Sequence, residues 1–142
     1  MTNDSSVSLS GLFGFARECL AAHRYPHDHH TFNVFTCPDC GVEPLALRIE
    51  HHTGSRKRDF RGVIFARCST CDRERRVFSF TGAHRTALRE ERPVCDCGHG
   101  TFVVAKVERI EGDHGLPGFF DEGVIVGQCP QCGRYTAFVY TD

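Results

Sequence analysis

The chain has 142 residues, 40% hydrophobic and 25% charged, the composition of an ordinary soluble globular protein. It holds 12 Phe, one Met and no Trp, and two units of roughly 50 residues would each be near the size at which an apolar core alone is marginal. No stretch approaches the roughly 18 consecutive apolar residues of a membrane span. The start MTNDSSVSLS has no basic or apolar leader segment, so the expectation is a cytoplasmic protein without a membrane partner.

In chain order, residues 1–7 read as a polar start. From 8 to 24, Leu9, Leu12, Phe13, Ala16, Leu20 and Ala21 fall at the i, i+3, i+4 spacing of one helix face, with Ser8 or Ser10 as cap and Tyr25-Pro26 as stop. Gly11 and Gly14 weaken that helix. His27-Asp28-His29-His30 follows as a short polar loop. The pattern then turns to β: residues 31–36 lead into Cys37, 45–51 alternate apolar and polar side chains, and 62–67 and 77–81 are rich in Val, Ile and Phe. Residues 52–58 read as a turn around Gly54 with a basic run. Residues 83–92 fit a short helix or polar linker before Pro93. Strand patterns return at 101–110, 124–127 and 135–140, with Gly-rich 112–118 as a hairpin tip that lacks the Lys-Ser/Thr of a phosphate loop. The expected layout is a helix and His-rich loop over 1–30, a first β unit over 31–82, a linker over 83–92 and a second β unit over 93–142.

The second β set repeats the first. Gly62-Val63-Ile64 matches Gly123-Val124-Ile125, and the same offset carries Cys68, Cys71 and Arg73 onto Cys129, Cys132 and Arg134. Arg48-Ile49-Glu50 corresponds to Lys106-Val107-Glu108, and Phe60 and Phe120 precede the two glycines. A tandem duplication explains all of these together.

Eight of the nine cysteines fall into four close pairs: Cys37/Cys40, Cys68/Cys71, Cys95/Cys97 and Cys129/Cys132. In the first copy 27 residues separate Cys40 from Cys68; in the second, 31 separate Cys97 from Cys129. A Cys-x-x-Cys turn lets two thiolates meet one ion, the glycine after it tolerates the backbone bend, and free amides of the turn can hydrogen-bond the sulfurs. Two such turns facing each other across a hairpin make a closed tetrahedral site of four cysteines, and two copies imply two Zn2+ per chain. Cys95-Asp96-Cys97 is one residue short of this spacing, yet sulfurs at i and i+2 of an extended chain share a face, so chelation remains available. His99 is an alternative ligand there. Without a secretory leader, disulfides and a redox Cys-x-x-Cys are the weaker explanations. Cys19, on the apolar side of the helix, reads as a small core residue rather than a reactive thiol.

On these motifs both halves resemble zinc ribbons, modules of two CPxCG knuckles on a small three-stranded antiparallel sheet. The resemblance covers about residues 35–82 and 93–142 and leaves the helix unexplained. It implies a mainly β fold of two tandem ribbons with an N-terminal helix, and a rigid small platform. Rubredoxin, an iron electron carrier with similar knuckles, is the neighbouring alternative; the strand-like intervening segments and Cys95-Asp96-Cys97 argue against it.

Charge is unevenly spread beneath a formal net of −1. Residues 1–47 hold 2 Lys/Arg against 5 Asp/Glu, residues 48–92 hold 12 against 6, and residues 93–142 hold 3 against 7. Arg56, Lys57, Arg58, Arg61, Arg73, Arg75 and Arg76, interleaved with Phe60, Phe65, Phe78 and Phe80, are the candidate nucleic-acid contacts, weighed against a solvated surface around a Phe core. The acidic second copy argues against one continuous nucleic-acid surface and suits a basic partner or self-association. His27, His29 and His30 are a weak candidate for another metal site, and His51-His52 a weaker one. No HExxH, GxSxG or spare Cys/His pair is visible, so no enzyme and no small-molecule substrate is expected. The expectation is a zinc-stabilised non-enzymatic binding or adaptor module for nucleic acid or a protein complex, with an electron carrier or a structural subunit of a larger assembly as alternatives.

Overall fold

A computed structural model describes residues 9–20, 29–80, 87–110 and 122–141. Helix α1 (Leu9–Cys19) buries Leu12 and Ala16 on one face, and Leu20 one turn on continues it, while Leu9 is exposed. The turn from Gly11 to Gly14 is tolerated because that face packs against a sheet and tertiary burial outweighs helix propensity. Among the described residues eight strands follow: β1 (His29–Val34), β2 (Leu45–His52), β3 (Gly62–Cys68), β4 (Glu74–Phe80), β5 (Ala87–Glu91), β6 (Val103–Ile110), β7 (Glu122–Gln128) and β8 (Tyr135–Thr141). They form two four-stranded antiparallel sheets, ordered β4-β3-β2-β5 and β1-β6-β7-β8. The fold is mainly β with one N-terminal helix, as the periodicities predict.

Two segments differ from expectation. The sequence pattern assigns residues 31–36 to the first unit, but β1 pairs along its whole length with β6 of the second, from His29 opposite Ile110 to Val34 opposite Ala105. The cause is the apolar side: Phe32 and Val34 pack into the cluster under α1, where Phe13 lies 5.0 Å from Phe32 between ring centroids. His29 and His30 therefore open a strand instead of completing a loop. The second segment is 83–92: β5 is a strand pairing with β2, not a helix or free linker. Its Ala-Leu-Arg-Glu-Glu sequence favours a helix locally, but the open edge of β2 supplies backbone partners, and the Glu91 side chain meets His51 at 2.9 Å.

The sheets stack in layers, with α1 outside the second sheet and the first sheet on its other side. Leu12, Ala16 and Leu20 join Val103, Ala105, Val107, Val124, Val126 and Tyr140 in one cluster. Val104, Ile125, Phe138 and Val139, on the other face, join Leu47, Ile49, Phe60 and Ile64 of the first sheet. Strand β7 is consequently buried from Gly123 to Gln128 without alternation, whereas β2 and β3 alternate buried and half-buried positions. Backbone bonds lock the two units. Leu45 and Phe102 exchange N–H···O=C bonds of 2.6 and 2.9 Å near the cysteine ends. At the far ends Phe60 N–H donates to Tyr140 O at 3.1 Å and Tyr140 N–H to Lys57 O at 2.6 Å.

The duplication is visible in the backbone. The β3–β4 register slips between Ile64 and Phe65, and the β7–β8 register slips between Ile125 and Val126, the corresponding place in the second copy. Among the described residues no helix is long and apolar enough to cross a membrane.

Candidate metal centres

Each centre is built by two turns at the same end of a hairpin unit. In the first, Cys37 and Cys40 lie on the turn before β2, Cys68 closes β3 and Cys71 sits on the turn into β4. Cys37 and Gly41 exchange backbone bonds of 2.9 and 2.8 Å, and Gly41 takes φ +85°, where a side chain would be strained. Opposite, Asp72 N–H donates to Cys68 O at 2.9 Å and Cys68 N–H to Arg73 O at 3.0 Å. In the second centre Gly133 N–H to Cys129 O and Cys129 N–H to Arg134 O repeat those bonds at 2.9 and 3.0 Å. The shortened Cys95-Asp96-Cys97 turn closes with Gly98 N–H on Cys95 O at 2.7 Å and Cys95 N–H on His99 O at 2.8 Å. The missing residue is absorbed inside the turn, and both sulfurs still reach the cluster.

The four sulfurs of Cys37, Cys40, Cys68 and Cys71 all lie within 4.8 Å of one another, as do those of Cys95, Cys97, Cys129 and Cys132. Individual separations are 3.6 Å for Cys37–Cys71, 3.4 Å for Cys95–Cys132 and 3.6 Å for Cys97–Cys129. A tetrahedral ion with metal–sulfur bonds of about 2.3 Å has sulfur–sulfur edges of about 3.8 Å, so the donor sets fit a metal, whereas a disulfide needs about 2.05 Å. Ligands pair within each copy, as the repeat requires.

Electrostatics explain why these clusters want a cation. The backbone N–H of Asp39, opposed by burial and helped by that of Cys40, lowers the Cys37 thiol to about 7. In the second centre the backbone N–H of Arg134 and the Cys95 sulfur lower Cys132 to about 7. Burial, then the neighbouring sulfurs, push Cys40 up to about 12. At Cys95 the Cys97 amide pulls downward, but burial and three sulfurs together outweigh it and raise the thiol to about 12. One thiolate forms readily in each set, while Cys40, Cys71, Cys95 and Cys97 are pushed upward, a conflict that a divalent ion resolves by displacing protons.

An ion pair straps the two turns of each centre together. Asp39 on the first turn meets Arg73 at 3.2 Å and Arg75 at 3.5 Å; Asp96 meets Arg134 at 2.6 Å. Sequence reasoning misses Asp39 and Asp96 as site residues, though an Asp within each first turn and an Arg two residues after each last cysteine are visible signals. These arginines also place positive charge beside a centre that is net negative when four thiolates hold a divalent ion.

Compared with family models, curated proteins and solved structures, the chain matches none.

The structure divides the seven basic candidates. Arg73 and Arg75 sit at the cysteine end on Asp39, and Arg61 pairs with Asp59 at 3.4 Å. Arg56, Lys57 and Arg58 lie in the β2–β3 turn, at the other end of strands about 23 Å long. Arg58 lies over the Tyr140 ring at 4.1 Å, and Arg76 is on the outer strand β4. No single face collects all seven. Arg48, opposite Phe65, carries the outer face of the first sheet: it bonds Glu50 at 2.7 Å and Glu74 at 3.0 Å, reaches Glu90 at 3.7 Å, and lies 4.1 Å over the Phe65 ring. It holds the Glu74 carboxyl below the usual carboxylate range.

The remaining candidates have structural places. His99 Nε2 bonds Thr101 Oγ1 at 2.9 Å and is not among the clustered ligand atoms. His30 packs edge-on to Phe13, and His51 is buried between Ser55 at 2.8 Å and Glu91 at 2.9 Å. Cys19 packs half-buried against the α1 cluster. His27, Phe120, the 112–118 tip and residues 81–86 lie outside the described residues.

Proposed function

We propose that the chain is a zinc-stabilised, non-enzymatic binding module, two zinc ribbons fused into one body and presenting a surface to a protein partner. The observation that carries this reading is the closed donor set: each centre offers four sulfurs to one ion, which fills a tetrahedron and leaves no position for activated water or substrate. Thiolate-only ligation in this geometry suits zinc, whose binding energy would supply the folding energy that small β units lack. A protein partner is favoured over nucleic acid because the basic middle of the chain is largely engaged at home. Arg48, Arg61, Arg67, Arg73 and Arg75 each face a carboxylate of the same fold.

Metal analysis and a pull-down from the native host test this reading. The expected result is a colourless protein with two zinc per chain that retains a protein partner and binds oligonucleotides only weakly at low salt. Red colour with visible absorption would replace zinc by iron and the adaptor by an electron carrier. Tight oligonucleotide binding that falls steeply with salt, and flattens on neutralising Arg56, Lys57 and Arg58, would return the partner to nucleic acid.

A further inference from the structure

We propose that the cleft between β5 and β8 captures an extended acidic peptide, which adds as a strand to a free sheet edge. The proposal rests on reading the chain as a protein-binding module and assigns that function a place.

Among the described residues, strands β5 and β8 are each the last strand of their sheet, β5 bordered by β2 and β8 by β7. Between them lies a cleft of about 480 Å³, lined on one side by Arg89, Glu91 and Arg92 and on the other by residues 136–138. The fold already uses this edge for strand-like pairing. The first unit's turn bonds Tyr140 in both directions, through Lys57 O and Phe60 N–H, at 2.6 and 3.1 Å. Beyond Tyr140 the edge is open: across the cleft, residues 136–138 make no backbone bond to any described residue. Phe138, the extra residue at the β7–β8 register slip, has no partner on β7 either. An incoming extended chain would continue the pairing that residues 57–60 begin, its amides meeting backbone groups otherwise left to water.

Charge selects the occupant. Lys57, Arg89 and Arg92 line the cleft with Glu91, which is hydrogen-bonded to His51 on the buried side and lies 4.0 Å from Arg89, while Arg92 pairs with Glu90 at 2.7 Å, so three cations against two carboxylates leave one positive charge in excess. Acidic side chains on the added strand complement the excess. Nucleic acid fits this place poorly: the two rings in the lining, Phe102 and Phe138, are 1% and 7% exposed, so no ring face is offered to a base. An extended backbone is what two open edges recognise.

The test titrates the isotope-labelled, zinc-loaded full chain with an alternating Glu-Val hexapeptide, its Lys-Val counterpart and a thymidine hexanucleotide, followed by amide NMR. The expected result is saturable shifts at residues 87–92 and 136–138 with the Glu-Val peptide, at least tenfold weaker binding of the Lys-Val peptide, and none of the hexanucleotide there. Combined Arg89→Glu and Arg92→Glu substitution should weaken the Glu-Val peptide at least tenfold with metal content unchanged; Lys57→Glu, outside β5, provides the same reading if the double variant misfolds. No shifts, shifts confined to other surfaces, equal binding of both peptides, or hexanucleotide shifts in the cleft would each overturn the proposal. If the peptide fails while the native-host pull-down still retains a protein partner, the cleft assignment falls and the binding-module reading stands. If the pull-down also retains none, both fall.

Discussion

The two units carry one repeated pattern into different surroundings. Val63 and Val124 are equivalent, as are Phe65 and Val126. In the second unit Val124 and Val126 are fully buried under α1, and in the first Val63 is half-buried and Phe65 lies beneath Arg48 on an outer face. The cysteine turns, by contrast, repeat nearly bond for bond, down to the Asp–Arg strap. Metal geometry is a local property that duplication copies intact, while the role of each sheet depends on what covers its second face. The second unit is the central layer and the first an outer one, so loss of the same metal ligand should cost more in the second.

Cysteine replacement exposes that asymmetry most strongly. Cys68→Ser and Cys129→Ser each remove one ligand, and loss of a structural zinc is worth on the order of 10 kcal/mol. The Cys68→Ser protein should keep about one zinc per chain and the native amide pattern of α1 and β6–β8. Cys129→Ser should unfold both units, read by loss of dispersed NMR signals and of nearly all metal. Equal behaviour of the two would break the comparison.

Acid is next in size. Metal binding displaces thiol protons, so affinity rises with pH and is lost as pH falls. Below about 7, where even Cys37 and Cys132 take up protons, affinity should drop more than tenfold per pH unit, because several thiols protonate together. Competition with a chromophoric chelator across pH reads the slope. A flat profile would mean the thiols are not the ligands.

Glycines at equivalent positions sharpen the comparison. A Cβ on Gly62 would overlap the Glu50 backbone carbonyl, whereas one on Gly123 would lie 2.6 Å from Thr141 Oγ1, the end of a side chain. Backbone cannot yield as a side chain can, so Gly62→Ala should cost about 3 kcal/mol and Gly123→Ala about 1 kcal/mol in denaturant unfolding of the metal-loaded protein. The reverse order would show that the central layer is the less tolerant even at a side-chain contact.

The smallest effects belong to the straps. Arg73→Ala and Arg134→Ala remove exposed ion pairs and should each cost about 0.5 kcal/mol, read as modestly faster zinc release to chelator. A cost several times larger would make the straps part of the ligand cage.

Much of this is legible in the sequence. The eight ligands follow from spacing and repeat, and α1 from the Leu12, Ala16, Leu20 face. The uninterrupted Val124-Ile125-Val126 and Val103-Val104-Ala105 runs, against the alternation of residues 45–51, already carry the burial difference between the sheets. Strand partnership is not legible. Residues 31–36 precede the first knuckle in sequence, yet Phe32 and Val34 find their apolar partners across the second sheet. Ala87–Glu91 is locally a helix former, and only the assembled edge of β2 makes it a strand. The β5–β8 cleft depends on the placement of β5, so no local pattern announces it.

The most direct measurement is metal content of the purified protein together with thiol titration before and after chelation. The expected result is two zinc per chain, no visible absorption, at most Cys19 reacting beforehand, and eight further thiols released with the metal. Iron, fewer than two ions per chain, or thiols that react freely while metal stays bound would contradict it.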